Sequence, residues 1–293
     1  MDFVFWPSAV RNYGFDEHID AAVAGGFTHL AIDPITYRKA RSKGLSGADI
    51  KAKAADAGVP ISHLDTYTDW APIRVPGEVN EALRERFDVS GDECFEICEA
   101  LDIKAILAVA GYDPGTIEHS RLVDGFGALC DRAANAGIWV DLEFMPFWGM
   151  PDLASAWAVV READRQNSGI LVDTWHFSKG NPDFELLRSI PDRFIVASQV
   201  SDAQRALRGA TLFEDTVRYR EFAGEGEMPI VEILEILIAK GLQNIGPEVF
   251  SDYADTLSPR EAGERCGRTL RAVLEKAGAV LPDGVLCGQQ IRS

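Results

Sequence analysis

Residues 136–144 read Ala-Gly-Ile-Trp-Val-Asp-Leu-Glu-Phe. The glycine at 137 is typical of the left-handed residue that ends a helix, and the apolar run after it is typical of a buried strand in a parallel sheet. The same junction recurs at residues 24–27, 57–59 and 240–242. A helix that ends directly before an apolar strand is the repeating element of α/β folds. The chain is therefore predicted to alternate between strands and helices.

Eight apolar runs predict eight strands, and the amphipathic segments between and after them predict the helices. The strands are Phe3–Trp6, Thr28–Asp33, Pro60–Asp65, Lys104–Ala110, Ile138–Phe144, Gly169–Asp173, Phe194–Val200 and Asn244–Phe250. The helices are Asp16–Ala24, Gly47–Ala57, Glu78–Ala100, Thr116–Ala136, Asp152–Gln166, Asp183–Ser189, Met228–Lys240 and Ser258–Lys276. Eight such units within residues 1–280 favour a single-domain (β/α)8 TIM barrel over an open doubly wound sheet. Residues 281–293 lack a helical pattern and are predicted to form a C-terminal tail, either an arm or a disordered end.

Composition narrows the classes of partner. Among 293 residues, 46 are Asp or Glu and 29 are Lys or Arg, which gives a formal charge of −17. A surface this negative repels phosphate backbones and anionic lipid, so neither nucleic acid nor a membrane surface is an expected partner. No leader pattern or long apolar run is present, which favours a cytoplasmic protein. The five cysteines are odd in number and form no disulfide framework, and Cys94 and Cys98, four apart in a helical stretch, are expected to be buried thiols, with a metal or redox pair as the alternative.

A TIM barrel places its active site at the C-terminal ends of its strands, and in this chain oxygen-bearing side chains stand there. Four successive strands end in or near Glu143, Asp173, Gln199 and Glu248. Three carboxylates close together need a compensating cation to stay ionised, although each alone could be a rim residue in a salt bridge. Oxygen ligands suit Mg²⁺ or Mn²⁺ better than Zn²⁺ or copper. The pattern therefore predicts one divalent metal ion.

His176 lies three residues after Asp173 and is the histidine expected beside these ligands. The ordinary pKa of histidine would let it exchange protons near neutral pH, so it is a candidate catalytic residue. The alternative is a loop histidine that hydrogen-bonds only to backbone. A divalent ion beside a carbonyl makes the neighbouring C–H easier to ionise. Depending on where the proton returns or what leaves, such a site can epimerise, isomerise or dehydrate its substrate.

Three further residues are candidates for substrate binding. His63 ends the third strand and could contact substrate or pack in the barrel. Arg218 and Arg220 could hold a carboxylate or hydroxyl groups, because the guanidinium fork fits such groups. A solvated pair of arginines between a helix and a loop is the alternative.

Taken together, these motifs resemble the xylose-isomerase-like barrels of sugar isomerases, epimerases and related dehydratases. The resemblance covers nearly the whole chain, and its most specific parts are the Glu of Val-Asp-Leu-Glu, Asp173-x-x-His176 and Pro-Glu-Val-Phe-Ser-Asp at 247–252. It implies that the four strand-end residues chelate one divalent ion, Mn²⁺ or Mg²⁺, with Co²⁺ as a further candidate. It also implies that Glu143 and Glu248 transfer protons while they bind the metal.

Gln199 stands where the common epimerases of this family have histidine. Together with the Val-Ser-Asp-Ala that follows it and the Arg-Tyr-Arg at 218–220, it is more similar to the 3-dehydroshikimate dehydratase branch, although Ala223 replaces that branch's proline. The resemblance implies a lyase that dehydrates a small polyhydroxylated ketone through an enolate, with a sugar or inosose isomerase or epimerase as the alternative. Family members are often dimers or tetramers, which leaves a homo-oligomer open. Endonucleases of the superfamily use many histidines, whereas this acidic chain has five.

Overall fold

Eight parallel strands form a closed barrel in a computed structural model that describes residues 1–71, 84, 85 and 87–286. Each strand pairs with its neighbours in sequence, and β8 pairs with β1. The strands are β1 (Asp2–Phe5), β2 (His29–Ile32), β3 (Ile61–Tyr67), β4 (Ala105–Val109), β5 (Trp139–Glu143), β6 (Ser168–Asp173), β7 (Ala197–Val200) and β8 (Asn244–Pro247). The predicted single-domain TIM barrel is confirmed.

All eight predicted strands are present, with differences at their ends. The seventh begins at Ala197 rather than Phe194, because Asp192–Phe194 forms a short 3₁₀ turn. The eighth ends at Pro247 rather than Phe250. The backbone N–H of Glu248 nevertheless donates to the carbonyl of Val200 at 3.0 Å, so this residue continues the ladder at the rim of the barrel.

Eleven α-helices surround the barrel within the described ranges. They are α1 (Phe15–Gly25), α2 (Pro34–Ser42), α3 (Gly47–Asp56), α4 (Gly91–Leu101), α5 (His119–Asn135), α6 (Leu153–Ala163), α7 (Thr174–Lys179), α8 (Phe184–Ser189), α9 (Leu212–Arg218), α10 (Ile230–Ala239) and α11 (Pro259–Lys276). Helices α2, α7 and α9 were not predicted. They are short and lie directly after strands or in the loops above them, where the apolar period is too brief to recognise. Of the predicted helix Glu78–Ala100, residues 78–83 and 86 lie outside the described residues.

The glycines that mark helix ends behave as predicted. Gly26, Gly58, Gly137 and Gly241 have φ angles of 72°, 81°, 67° and 82°. The left-handed conformation ends each helix and turns the chain into the next strand. The four described cysteines, including Cys94 and Cys98, are buried free thiols, and burial raises the pKa of these two to about 12.

The described end of the chain lies against the barrel. Leu286 is buried, and its backbone N–H donates to the carbonyl of Gly26 at 2.9 Å. The last residues of the predicted tail, 287–293, lie outside the described part, and the boundary at residue 280 stays a prediction. Among the described helices, none combines the length and the apolar run that a membrane crossing requires.

Two apolar layers organise the barrel. The larger layer lies between the strands and the helices, and the smaller one fills the barrel interior. The interior layer contains Val4, Ala31, Leu107, Leu171 and Ala197, which come from five different strands. Above it, toward the C-terminal ends of the strands, the buried side chains become polar and include Glu143, Asp173 and Gln199.

Helices α1 and α11 close the outer ring where the chain's two ends meet, and glycines allow their close approach. A Cβ atom at Gly267 would lie 2.0 Å from the carbonyl oxygen of Gly25, and one at Gly263 would lie 2.0 Å from that of Ala21. These distances are far below van der Waals contact. Neither glycine can carry a side chain unless the two helices separate.

We therefore expect Gly267→Ala to lower the free energy of unfolding by about 1–3 kcal/mol, the usual cost of overpacking. Gly127→Ala is the matched control, because its Cβ would meet Arg165 Nη2 at an ordinary 3.4 Å in helix α5. There the gain in helix propensity should leave stability unchanged or raise it by up to about 1 kcal/mol. Urea denaturation measures both, and equal stability of the two variants would contradict the close helix packing.

Candidate active site

Five buried polar side chains meet at the C-terminal end of the barrel. Strand register brings them together: Asp173 lies directly opposite Gln199, and Gln199 lies opposite Gly246, two residues before Glu248. One ligand atom from each of Glu143, Asp173, His176 and Glu248 lies within 4.8 Å of the others. Helix α7 brings His176 into this group, because the Asp173 side chain caps the helix by accepting from the His176 backbone N–H at 2.8 Å.

The donor atoms of this group fit a divalent cation. Glu143 Oε1, both polar atoms of the Gln199 amide and His176 Nδ1 are buried and have no hydrogen-bond partner among the described residues. Such atoms are rare in folded proteins and call for a ligand, an ion or water. Carboxylate and amide oxygens are preferred by hard divalent ions. The cluster can therefore hold a metal ion.

Arg220 lies inside the same group, and its contacts are a feature that sequence reasoning missed. The side chain is 2% exposed, and its Nη1 lies 2.7 Å from Asp173 Oδ2 and 3.0 Å from Glu248 Oε2. Its Nη2 lies 3.3 Å from His176 Nε2 and donates to Thr216 Oγ1 at 2.8 Å. From the sequence, this arginine is predicted to contact substrate. The structure shows that it compensates the charge of two acids, although it also borders the cavity described below.

The acids differ in their affinity for protons. Burial and the nearby Glu248 and Asp173 raise the pKa of Glu143 well above its usual value. Burial also raises the pKa of Glu248, against the opposing effect of Arg220. Burial alone would also raise the pKa of Asp173. The charge of Arg220 and the hydrogen bond from the His176 backbone have a larger combined effect with the remaining contacts, so the pKa of Asp173 is lowered. In this structure Asp173 is therefore the firmly ionised member, and the two glutamates retain protons more readily.

His176 has the opposite shift. Burial lowers its pKa to about 3, although the charge of Asp173 raises it. Because a guanidinium can only donate, the Arg220 contact makes His176 Nε2 an acceptor and leaves the proton on Nδ1. The ring is therefore neutral near pH 7 and is a weaker base than an ordinary histidine.

A cavity of about 530 Å³ opens above the cluster and contacts Glu143, His176, Arg220 and Glu248. Apolar side chains form much of its wall: Phe87, Met145, Phe147, Trp148, Phe213 and Phe250. Its outer part is charged, with Arg11 and Arg218 beside Asp252 and Asp255. Arg11 follows strand β1, so the same positional rule that identified the acids could have identified it.

The other two predicted substrate contacts lie in different surroundings. Arg218 borders the cavity, with Nη2 2.7 Å from Asp252 and Nη1 2.9 Å from Glu214. His63 is not among the residues that line the cavity in the described part of the chain. It is buried, with its ring 5.4 Å from that of Trp6 and its Nδ1 2.7 Å from Ser62 Oγ.

Comparison with known proteins places this site in a family. A sequence model of the xylose isomerase-like TIM barrel family matches residues 19–271. The chain belongs to this family. Its resemblance to a solved structure of the IOLI protein with a binding zinc atom extends over 96% of this chain and 100% of that one, with a TM-score of 0.82 at 19% identity.

Curated relatives within the family are enzymes of two kinds. The 3-dehydroshikimate dehydratase of Pseudomonas putida is 24% identical over 243 residues, which are 80% of this chain and 36% of the relative. This chain thus spans about a third of the length of that dehydratase. The inosose isomerase of Bacillus subtilis is 24% identical over 188 residues, 62% of this chain and 66% of the relative. Both relatives support an enzyme, without deciding its reaction.

Because Arg220 contacts Asp173 and Glu248, we predict that its guanidinium group and a bound metal ion stabilise the same two carboxylates. In the absence of metal, we expect Arg220→Met to lose about 3–5 kcal/mol of unfolding free energy, because two buried carboxylates lose their cationic partner. Added Mn²⁺ should raise the Tm of this variant more than that of the wild type. Arg218→Met, which breaks exposed pairs, should change stability by about 1 kcal/mol or less. Calorimetry with EDTA and with Mn²⁺ measures these shifts; equal Mn²⁺ effects on wild type and Arg220→Met would refute the shared role.

His63 provides a prediction about pH. Burial lowers its pKa to about 3, below the ordinary histidine value of 6.5, so at intermediate pH the unfolded chain binds a proton that the folded protein does not. His63 therefore leaves the free energy of unfolding undiminished above pH 6.5. As the pH falls from 6.5 toward 3, it lowers that free energy by about 1.4 kcal/mol per pH unit. His63→Gln, which does not titrate, should reduce the slope of unfolding free energy against pH by this amount. Urea denaturation between pH 4 and 6 tests it, and an unchanged slope would mean that His63 is protonated when folded.

Proposed function

We propose that this protein is a divalent-metal-dependent lyase that dehydrates a polyhydroxylated cyclic ketone of the 3-dehydroshikimate type through an enolate. The observation that carries the proposal is the buried convergence of Glu143, Asp173 and Glu248 with His176, beneath a cavity of about 530 Å³. Cavities of this size hold small molecules. The relatives named 3-dehydroshikimate dehydratase in two Pseudomonas species support the choice of substrate type.

In this proposal Glu143, Asp173, Gln199 and Glu248 hold the metal ion, Mn²⁺ or Mg²⁺ by the preference of oxygen ligands, with Co²⁺ as a further candidate. When bound, the ion polarises a substrate carbonyl and makes the adjacent C–H bond more acidic. The unpartnered oxygens of Glu143 and Gln199 support this assignment, since both are buried beside the other acids.

Proton transfer is assigned to the two glutamates rather than to His176. Both glutamates border the cavity beside the proposed metal position, and a positioned carboxylate can take a proton as a general base and return it as a general acid. Burial lowers the pKa of His176 to about 3, so this ring takes up a proton less readily than an ordinary histidine. His176 borders the same cavity and is assigned as a catalytic residue that acts on the substrate as a neutral hydrogen-bonding group.

Substrate binding is assigned to the wall of the cavity. Aromatic side chains such as Phe147 and Trp148 pack on the carbon ring of the substrate. Arg218 is better placed than Arg220 to hold a carboxylate, because it lies at the partly exposed mouth and Arg220 is occupied by Asp173 and Glu248. His63 is not among the described residues that line this cavity, and its ring lies against that of Trp6.

A second candidate is an isomerase or epimerase of a neutral ketose or inosose. One observation favours it: both arginines at the mouth already pair with carboxylates, Arg11 with Asp255 at 2.6 Å and Arg218 with Asp252 at 2.7 Å. A neutral substrate would not need to compete for these guanidinium groups. The similarity to the inosose isomerase of Bacillus subtilis supports the same candidate.

One experiment separates the two. We expect the Mn²⁺-loaded protein to convert 3-dehydroshikimate to an aromatic product that absorbs in the near ultraviolet, while inosose and ketoses incubated in D₂O remain unlabelled by NMR. EDTA should abolish turnover and Mn²⁺ should restore it, and Glu248→Gln should lower kcat by about 10²-fold or more.

Each alternative has its own result. Turnover of an inosose or ketose with deuterium incorporated beside the carbonyl, and inert dehydroshikimate, would establish the second candidate. Full activity in EDTA in protein that elemental analysis finds free of metal would exclude the proposed metal site for either reaction.

A further inference from the structure

A second, smaller cavity lies behind the active site, and we call it the annex. Its walls include Trp6 and Ser8 after strand β1, His18 of helix α1 and Asp33 after strand β2. It also shares Arg11, Asp65, Glu248 and Phe250 with the main cavity, so the two adjoin. Its volume is about 30 Å³, enough for one or two water-sized groups and too small for a ring.

Two buried nitrogen atoms belong to the annex walls and lack partners. Trp6 Nε1 and His18 Nε2 have no hydrogen-bond partner among the described residues, and their side chains are 1% and 2% exposed. A buried nitrogen without a partner costs free energy, so each calls for an occupant of the space beside it. The indole nitrogen can only donate a hydrogen bond.

The surroundings of His18 make its Nε2 an acceptor. Burial lowers the pKa of His18, although the charge of Asp33 raises it, so the ring is neutral at pH 7. Backbone carbonyls of Val10 and Tyr13 lie within hydrogen-bond reach of the ring and favour a protonated nitrogen on their side. Since Nε2 has no partner, the proton is on Nδ1 and Nε2 carries a lone pair.

Among the described residues, the annex walls thus carry one unpartnered buried donor and one unpartnered buried acceptor, and a single hydroxyl group can satisfy both. An anion is disfavoured because the carboxylates of Asp33, Asp65 and Glu248 border the space, and the one arginine there, Arg11, already pairs with Asp255 at 2.6 Å. A second metal ion is disfavoured as well, since in the described part of the chain the cluster around Glu143 is where metal-binding atoms converge. A neutral hydroxyl group matches the size, polarity and charge of the annex.

We infer that the annex receives one hydroxyl group of the substrate, which donates to His18 Nε2 and accepts from Trp6 Nε1, and that His18 is a specificity-determining residue. This inference rests on the proposed function, because the rest of the substrate occupies the main cavity. The bound hydroxyl completes the hydrogen bonding of both nitrogens. A substrate analogue that lacks it leaves them unpaired, and the enzyme therefore discriminates against the deoxy compound.

Kinetics test the inference with the substrate that proves active. We expect His18→Leu to raise KM about tenfold with kcat changed less than twofold, as the loss of one hydrogen bond predicts. His18→Gln keeps a polar group at the position of Nε2 and should restore much of the affinity. His119→Leu, on the exposed surface beside Glu162, is the matched control and should retain the wild-type KM. If His18→Leu fails to fold, Trp6→Phe removes the donor and keeps an aromatic ring, with the same expected rise in KM.

NMR tests the inference without turnover. In Mg²⁺-loaded protein labelled with ¹⁵N-histidine, myo-inositol serves as a cyclic polyol probe without a carbonyl. We expect the His18 Nε2 resonance to move toward that of a hydrogen-bonded nitrogen as inositol is added, and His18→Leu to weaken inositol binding about tenfold by calorimetry.

The outcomes separate this inference from the proposed function. If no ketone is turned over but inositol shifts His18, the proposed function fails and the annex assignment stands. If a ketone is turned over but His18→Leu has the wild-type KM, the inference is overturned while the enzyme assignment stands. A His18 resonance that is already hydrogen-bonded before ligand is added, and that no ligand changes, means that the annex holds only a trapped water, which also overturns it.

Discussion

Burial of three carboxylates at one end of a closed barrel is the constraint on which the rest of the site depends. Each acid ends or follows a strand, and closure of the sheet forces them to within a few ångströms of one another. Like charges so close in a poorly solvated space cannot all remain ionised without positive charge nearby. Arg220 supplies one such charge, and a divalent ion would supply the remaining two. Three acids, one guanidinium and one divalent ion sum to zero.

Backbone hydrogen bonds on both sides of Arg220 fix its position. Isolated bridges pair Asp202 with Glu221 and Tyr219 with Ser251 on either side of it. The backbone N–H of Arg220 donates to the carbonyl of Phe250 at 3.1 Å. The segment is thus tied to the loops after both β7 and β8, the strands that carry Gln199 and lead to Glu248. The guanidinium therefore has a defined position even though it comes from a loop.

The sequence predicts the barrel and its acidic end well, because both follow from periodicity. Strand ends are visible as polar residues after apolar runs, and Glu143, Asp173 and Glu248 are found in this way without any tertiary information. The contacts of Arg220 and the environment of His18 are not visible, since they depend on how loops fold across the barrel mouth and on which side chains water cannot reach. The pKa of His176 shows the same limit: its position in the sequence predicts its neighbours, but only burial decides that the ring stays neutral.

The charges around the cavity limit the ways in which it could recognise a substrate. Arg11 and Arg218 are already paired to Asp255 and Asp252, and Arg220 together with a bound divalent ion would neutralise the inner acids, so little unbalanced charge would be left in the cavity. Long-range attraction then contributes little to selectivity, and the discriminating interactions must be short-range. A buried site that satisfies a hydroxyl group rejects an analogue without it more strongly than an apolar wall rejects an extra methylene. Unpartnered buried atoms beside a cavity, such as Trp6 Nε1 and His18 Nε2, are therefore where we expect substrate specificity to arise.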